Sequence, residues 1–125
     1  MDGSGIENDF AEFHLKNGIM FFTYKKDSYL DLEAAMRVVN DRVSIQNGKS
    51  YPVLCNITGL KGISKDGRDF LAKEGSELVK AVALIGASPG LRVMTNFYLY
   101  VNKPIVPTKV FPSKSEALKY LENYK

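Results

Sequence analysis

The sequence predicts an α/β domain in which strands and helices alternate in the order β-β-α-β-α-β-α-β-α. Three observations carry that prediction. Apolar runs of strand length recur at 19–24, 53–57, 79–85 and 106–111, and the segments between the later runs repeat their apolar residues at helical spacing. Asn17-Gly18 separates two such stretches, the strongest short-range hairpin signal, because a type I′ turn needs positive φ at both central residues. Every later connection is too long for a hairpin, so the strands that follow close in parallel through right-handed crossovers, giving a mixed sheet whose first strand is antiparallel.

Residues 1–9 are polar and glycine-rich and have little to bury, so they are expected to form a disordered tail ahead of one domain spanning 10–125. Phe13 and Leu15 alternate with Glu12, His14 and Lys16, and after the turn Ile19 to Tyr24 completes the hairpin. Leu32, Met36, Val39 and Val43 then form one helical stripe, with Asp31 and Glu33 near the positive end of the helix dipole and Gly48 ending it. Pro52 opens the strand Val53 to Ile57, and a second helix starts near Ser64 with Phe70 and Leu71 facing inward.

Val79 to Ile85 is almost uniformly apolar, as expected of a strand covered on both faces. Ser88-Pro89 reads as a cap followed by proline at the first helical position, and this third helix runs to about Val101, where Asn102-Lys103-Pro104 stops it. Pro107 cannot donate to a ladder, which places the last strand, 106–111, at a sheet edge or starts it just after the proline. Ser113-Lys114-Ser115-Glu116 is a capping box, and Ala117, Leu118, Leu121 and Tyr124 form the buried stripe of the last helix.

At 125 residues and 45% hydrophobic content the chain can bury one core. Its charge of +3 comes from 17 basic and 14 acidic residues scattered along the chain, which disfavours nucleic acid as a partner, since such binders collect their basic residues on one face or tail. Cys55 stands alone in an apolar run and reads as a small buried hydrophobe, compatible with a reducing compartment. No transmembrane-length run and no basic-then-apolar leader is present, so a cytoplasmic location is expected.

Gly86-Ala87-Ser88-Pro89-Gly90 matches G-x-S-x-G between a strand and a helix, where a hydrolase nucleophile belongs. The one histidine, His14, lies upstream, out of the usual order for a triad, and a helix cap explains the same serine. His14 has no second His and no nearby Cys to share a metal, Asp66, Asp69, Glu74 and Glu77 are interleaved with basic residues as on a solvated helix face, and no phosphate-cradling glycine motif occurs. No catalytic residue, metal or cofactor is therefore expected.

Two segments stand out as binding candidates. Thr58-Gly59-Leu60-Lys61-Gly62-Ile63-Ser64, with Asp66 and Gly67 beyond it, joins a strand end to a helix start, where free N–H groups favour an anion or an acidic partner; alternatively the loop needs glycines for its turns. The third helix carries two apolar stripes, Leu91, Met94, Tyr98, Val101 and Val93, Phe97, Tyr100, with few polar positions such as Arg92. That is more than the roughly 100° arc needed to cover a sheet. The surplus fits the last helix, a pocket or a second chain.

With these elements in place, residues 10–124 resemble a STAS domain of the SpoIIAA-like group. The family signature D-L-S-x-V-x-x-I-D-S-S-G aligns with Asn56 to Gly67, agreeing at the apolar positions, Thr58 and Gly67. Asn56 and Ser64 replace the two acids, and Asp66 stands where the family carries its phosphorylated serine. The resemblance implies a non-enzymatic regulatory module whose phosphate, added at a helix N-terminus, releases or blocks a protein. Asp66 cannot accept that phosphate, whereas Ser64 or Thr58 could.

The resulting expectation is a protein-docking module using Thr58, Gly59, Gly62, Ser64, Asp66 and Gly67 together with the exposed side of the third helix, with a homodimer compatible. The alternatives are a binder of a small apolar ligand or lipid, with a pocket under helix 91–101 lined by Met94, Phe97, Tyr98 and Tyr100, and a hydrolase using Ser88.

Overall fold

The computed structural model describes residues 5–125. Gly5–Glu7 (β1) pairs antiparallel with Ala11–Lys16 (β2), placing Ile6 opposite Phe13. The expected tail is corrected here, while its first four residues lie outside the described ones. The chain reverses at Asn8, whose Oδ1 accepts from the N–H groups of Phe10 (2.7 Å) and Ala11 (3.0 Å) and whose Nδ2 donates to Asp41. An Asn side chain thus supplies a turn that composition alone does not reveal.

Asn17 and Gly18, at φ 52° and 76°, turn β2 into Ile19–Tyr24 (β3) as the hairpin signal required. Ser28–Leu30 (β4) follows, then Leu32–Gln46 (α1), Tyr51–Asn56 (β5), Leu60–Ile63 (β6), Lys65–Lys73 (α2) and Val79–Ile85 (β7). Pro89–Phe97 (α3) continues as a π-helical turn over Tyr98–Asn102, and Thr108–Val110 (β8) and Lys114–Leu121 (α4) complete the chain.

The main sheet has the order β1-β2-β3-β5-β7-β8, parallel from β3 to β8. Pro107 immediately precedes β8, the edge strand, and its carbonyl accepts from Val82 N. β4 and β6 form a separate parallel pair, with Tyr29 opposite Gly62. The expected loop of residues 58–67 is therefore divided by a strand.

The alternation of side chains along the strands builds two cores. Phe13, Phe22, Val53, Cys55 and Leu84 pack with Val38 and Val39 of α1, Leu71 of α2 and Leu91 of α3. On the other face Leu54, Ala81 and Ala83 pack with Ala117 and Leu121 of α4. The face of α1 differs from the expected stripe: Leu32 and Met36 are exposed, whereas Ala34, Val38, Arg42 and Gln46 are buried. Arg42 and Gln46 satisfy each other and nearby backbone carbonyls, so two polar residues occupy positions that a hydrophobic count assigns to solvent. Among the described residues no helix is long and apolar enough to cross a membrane.

Candidate functional site

The start of α2 is built by close backbone approaches. Ser64 is its N-cap, accepting from Gly67 N at 3.0 Å while its own N–H donates to Leu30 O of β4. A Cβ on Gly67 would stand 2.7 Å from Leu30 O, and one on Gly59 would stand 2.6 Å from the carbonyl oxygens of Tyr24 and Lys25. Gly62 lies against the Tyr29 ring, which a Cβ would meet at 3.2 Å. These glycines admit neighbouring chain segments; the first turn of α2 is already occupied by the Ser64 cap and the exposed Asp66 carboxylate.

Thr58 belongs to a different corner, with β6 between it and Ser64. Its hydroxyl and N–H both donate to Asn56 Oδ1, at 2.7 and 3.0 Å, and a Cβ on Gly86 (φ 86°) would overlap its Oγ1. The six loop residues expected to act together thus fall into two groups.

Two contacts join α2 to α3 and its π-helical extension. The Arg68 guanidinium lies 5.0 Å from the Phe97 ring centroid, and Asp69 accepts from Asn102 as well as from Lys65. Hydrogen bonding from Lys65 is the main reason the Asp69 carboxyl sits below its ordinary pKa. Beyond this seam Val93 and Tyr100 are 73% and 78% exposed, flanked by Arg92, Phe97, Val101 and Ile105. The Arg68 and Asp69 contacts tie the middle of α2 to the end of α3 and its extension.

The other stripe of α3 covers a cavity of about 110 Å³ between the sheet and α1, α2 and α3. Met94 and Tyr98 line it as expected, but Phe97 and Tyr100 do not; they point outward on the exposed stripe. Sequence reasoning missed Tyr24, Arg42 and Cys55, which also line it. Tyr24 follows the inward alternation of β3 and Cys55 that of β5, whereas Arg42 carried no hydrophobic signal. Burial pushes the Cys55 thiol up to about 12, raises both tyrosine hydroxyls, and lowers Arg42 to about 10, leaving the guanidinium charged at neutral pH.

Ser88 caps α3, its Oγ accepting from Leu91 N. His14 stacks on Phe21, and β3 and β5 separate its strand from β7, so the structure does not bring the two together. Among the described residues no group of three or more His, Cys, Asp or Glu side chains is arranged to hold a metal.

Residues 13–125 match the model of a family described as Domain of unknown function (DUF7793). No curated protein matches the sequence. Among solved structures, the fold is similar to an uncharacterised DUF3478-family protein with a SpoIIAA-like fold from Shewanella loihica PV-4. The TM-score is 0.61 at 19% identity, covering 94% of this chain and 99% of that one. A variant of Moorella thermoacetica RsbS also has a TM-score of 0.61, at 12% identity, covering 89% of this chain and 93% of that one. The fold is SpoIIAA-like.

Proposed function

The chain belongs to the DUF7793 family, and from that premise and its SpoIIAA-like fold we propose that it is a non-enzymatic, cytoplasmic regulatory module that docks another protein. The observation that carries this reading is the seam at Arg68–Phe97 and Asp69–Asn102, which ties α2 to the exposed stripe of α3 and its extension. Aromatic residues and Arg are enriched in protein interfaces, and a polar rim around an apolar centre is their usual anatomy. Here Val93, Phe97 and Tyr100 form the centre, and Arg92, Lys65 and Asp66 the rim.

Ser64 is the residue through which this surface is regulated. Its side chain is partly exposed at the helix start, and a phosphate there would replace a neutral cap with a dianion beside Asp66. Thr58, across β6, is too remote from the ridge for the same effect.

The test compares proteins captured from native lysate by the wild type and by a Val93→Asp, Tyr100→Asp double variant of unchanged melting temperature. Specific partners lost only in the double variant support the reading; identical captures place docking elsewhere. Sedimentation of the purified chain separates a foreign partner from a second copy. A dimer dissociated by the same substitutions makes self-association the use of this surface.

A further inference from the structure

The cavity under α3 contains a charge with no opposite charge to meet it. Arg42 is 3% exposed, and its guanidinium donates to two neutral acceptors, Gln46 Oε1 and Gly75 O. Among the described residues no carboxylate lies within 4.0 Å of it, although the exposed Glu77 is near enough to act at longer range. A guanidinium has five N–H donors, and a buried cation is costly unless paired. Beside it Tyr24 is only 7% exposed and lines the same cavity, yet its hydroxyl has no hydrogen-bond partner among the described residues. The other walls, including Val38, Val53, Leu84 and Met94, are apolar.

A buried cation held only by neutral acceptors and a hydroxyl without a protein partner, in an otherwise apolar chamber, match one ligand chemistry, an anionic head on an apolar body. We propose that the cavity binds a small monocarboxylate, its carboxylate held by Arg42 and the Tyr24 hydroxyl and its hydrocarbon lying against Val38, Val53 and Met94. The volume sets the length. A cavity of roughly 150 Å³ accepts benzene, so one of about 110 Å³ takes roughly four to five non-hydrogen atoms, head group included, the size of acetate or propanoate. A phosphate or sulfate without a hydrocarbon part would leave those walls uncovered. The neutral thiol of Cys55 and hydroxyl of Tyr98 add no competing negative charge at neutral pH.

The inference does not depend on protein docking and is tested separately. Methyl NMR titration of the full chain with sodium propanoate is compared with propan-1-ol, which has the same skeleton and a neutral head. Saturable shifts at the Val38, Val53 and Met94 methyls are expected, with the alcohol binding at least roughly tenfold more weakly. Arg42→Met should remove the preference for the acid while leaving alcohol binding intact. Should that variant fail to fold, Tyr24→Phe, which deletes only the unpartnered hydroxyl, should weaken the acid several-fold and spare the alcohol. Equal affinities for acid and alcohol, shifts confined to exposed methyls such as Val93, or undiminished acid binding in the folded variants would overturn the proposal.

Discussion

Arg42 Nη1 donates to Gln46 Oε1 one turn further along α1, and both side chains are buried, at 3% and 1% exposure. Gln46 in turn donates at 2.8 Å to the carbonyl oxygens of Lys49 and Leu78, tying the end of α1 to the approaches of β5 and β7. Gln46→Leu keeps the volume but removes one of the two acceptors of the buried guanidinium and the donor to Lys49 O, while Leu78 O keeps Tyr51 N. A loss of about 2–4 kcal/mol is expected, read from urea unfolding; a loss below 1 kcal/mol would show that water or Arg42 itself repairs the network.

The glycines of the candidate surface separate into obligatory and replaceable ones. Gly67→Ala forces a methyl against Leu30 O, where 2.7 Å separates the ideal Cβ from the oxygen, so α2 must move off β4. Destabilisation of about 2 kcal/mol or more is expected. Gly90, in the first turn of α3, has nothing within 4 Å of its Cβ position. Gly90→Ala should instead stabilise the fold by about 0.5 kcal/mol. Thermal unfolding of the pair distinguishes close packing from mere turn preference.

Ser64→Ala removes the acceptor for Gly67 N and should cost about 1 kcal/mol. Ser64→Asp retains a capping oxygen and adds charge. The first variant should lower the melting temperature without altering partner capture, whereas the second should leave the fold near wild type and diminish capture. Equal capture by Ser64→Asp and wild type would exclude charge at this position as the regulator.

Alkaline stability reports the burial of Cys55. Its thiol is pushed from 9.0 to about 12, so across that window the unfolded chain loses a proton that the native chain keeps, and stability falls as pH rises. Buried Tyr24 moves in the same direction. Arg42 opposes them above pH 10, because its lowered pKa lets the native state shed a buried charge first. Between pH 9 and 10 the thiol contribution should amount to about 1 kcal/mol, and Cys55→Ala should remove that much of the slope in urea titrations. An unchanged slope would show the thiol to be accessible.

The sequence made legible whatever depends on continuous periodicity. Val79 to Ile85 could only be an interior strand, and Ser88-Pro89 and the 113–116 capping box fixed two helix starts that the structure reproduces. The short strands β1, β4 and β6 escaped, because β1 depends on the side-chain turn at Asn8 and β4 and β6 on each other across the intervening α1 and β5. The inward face of α1 was misread for a different reason. Its buried stripe contains Arg42 and Gln46, which bury well only because the backbone carbonyls of Gly75, Lys49 and Leu78 are within reach. The cavity lining was half legible, since helical spacing finds Met94 and Tyr98 but says nothing of which strand residues face them.

Photo-crosslinking tests the proposed docking surface most directly. A benzophenone amino acid is placed at position 100 on the exposed stripe of α3 and, as a control, at the exposed position 33 on α1. Irradiation in native lysate should give a discrete crosslinked protein from position 100 alone, abolished by Val93→Asp. Crosslinks of equal yield and identity from both positions, or none that Val93→Asp removes, would contradict the assignment of this surface to docking.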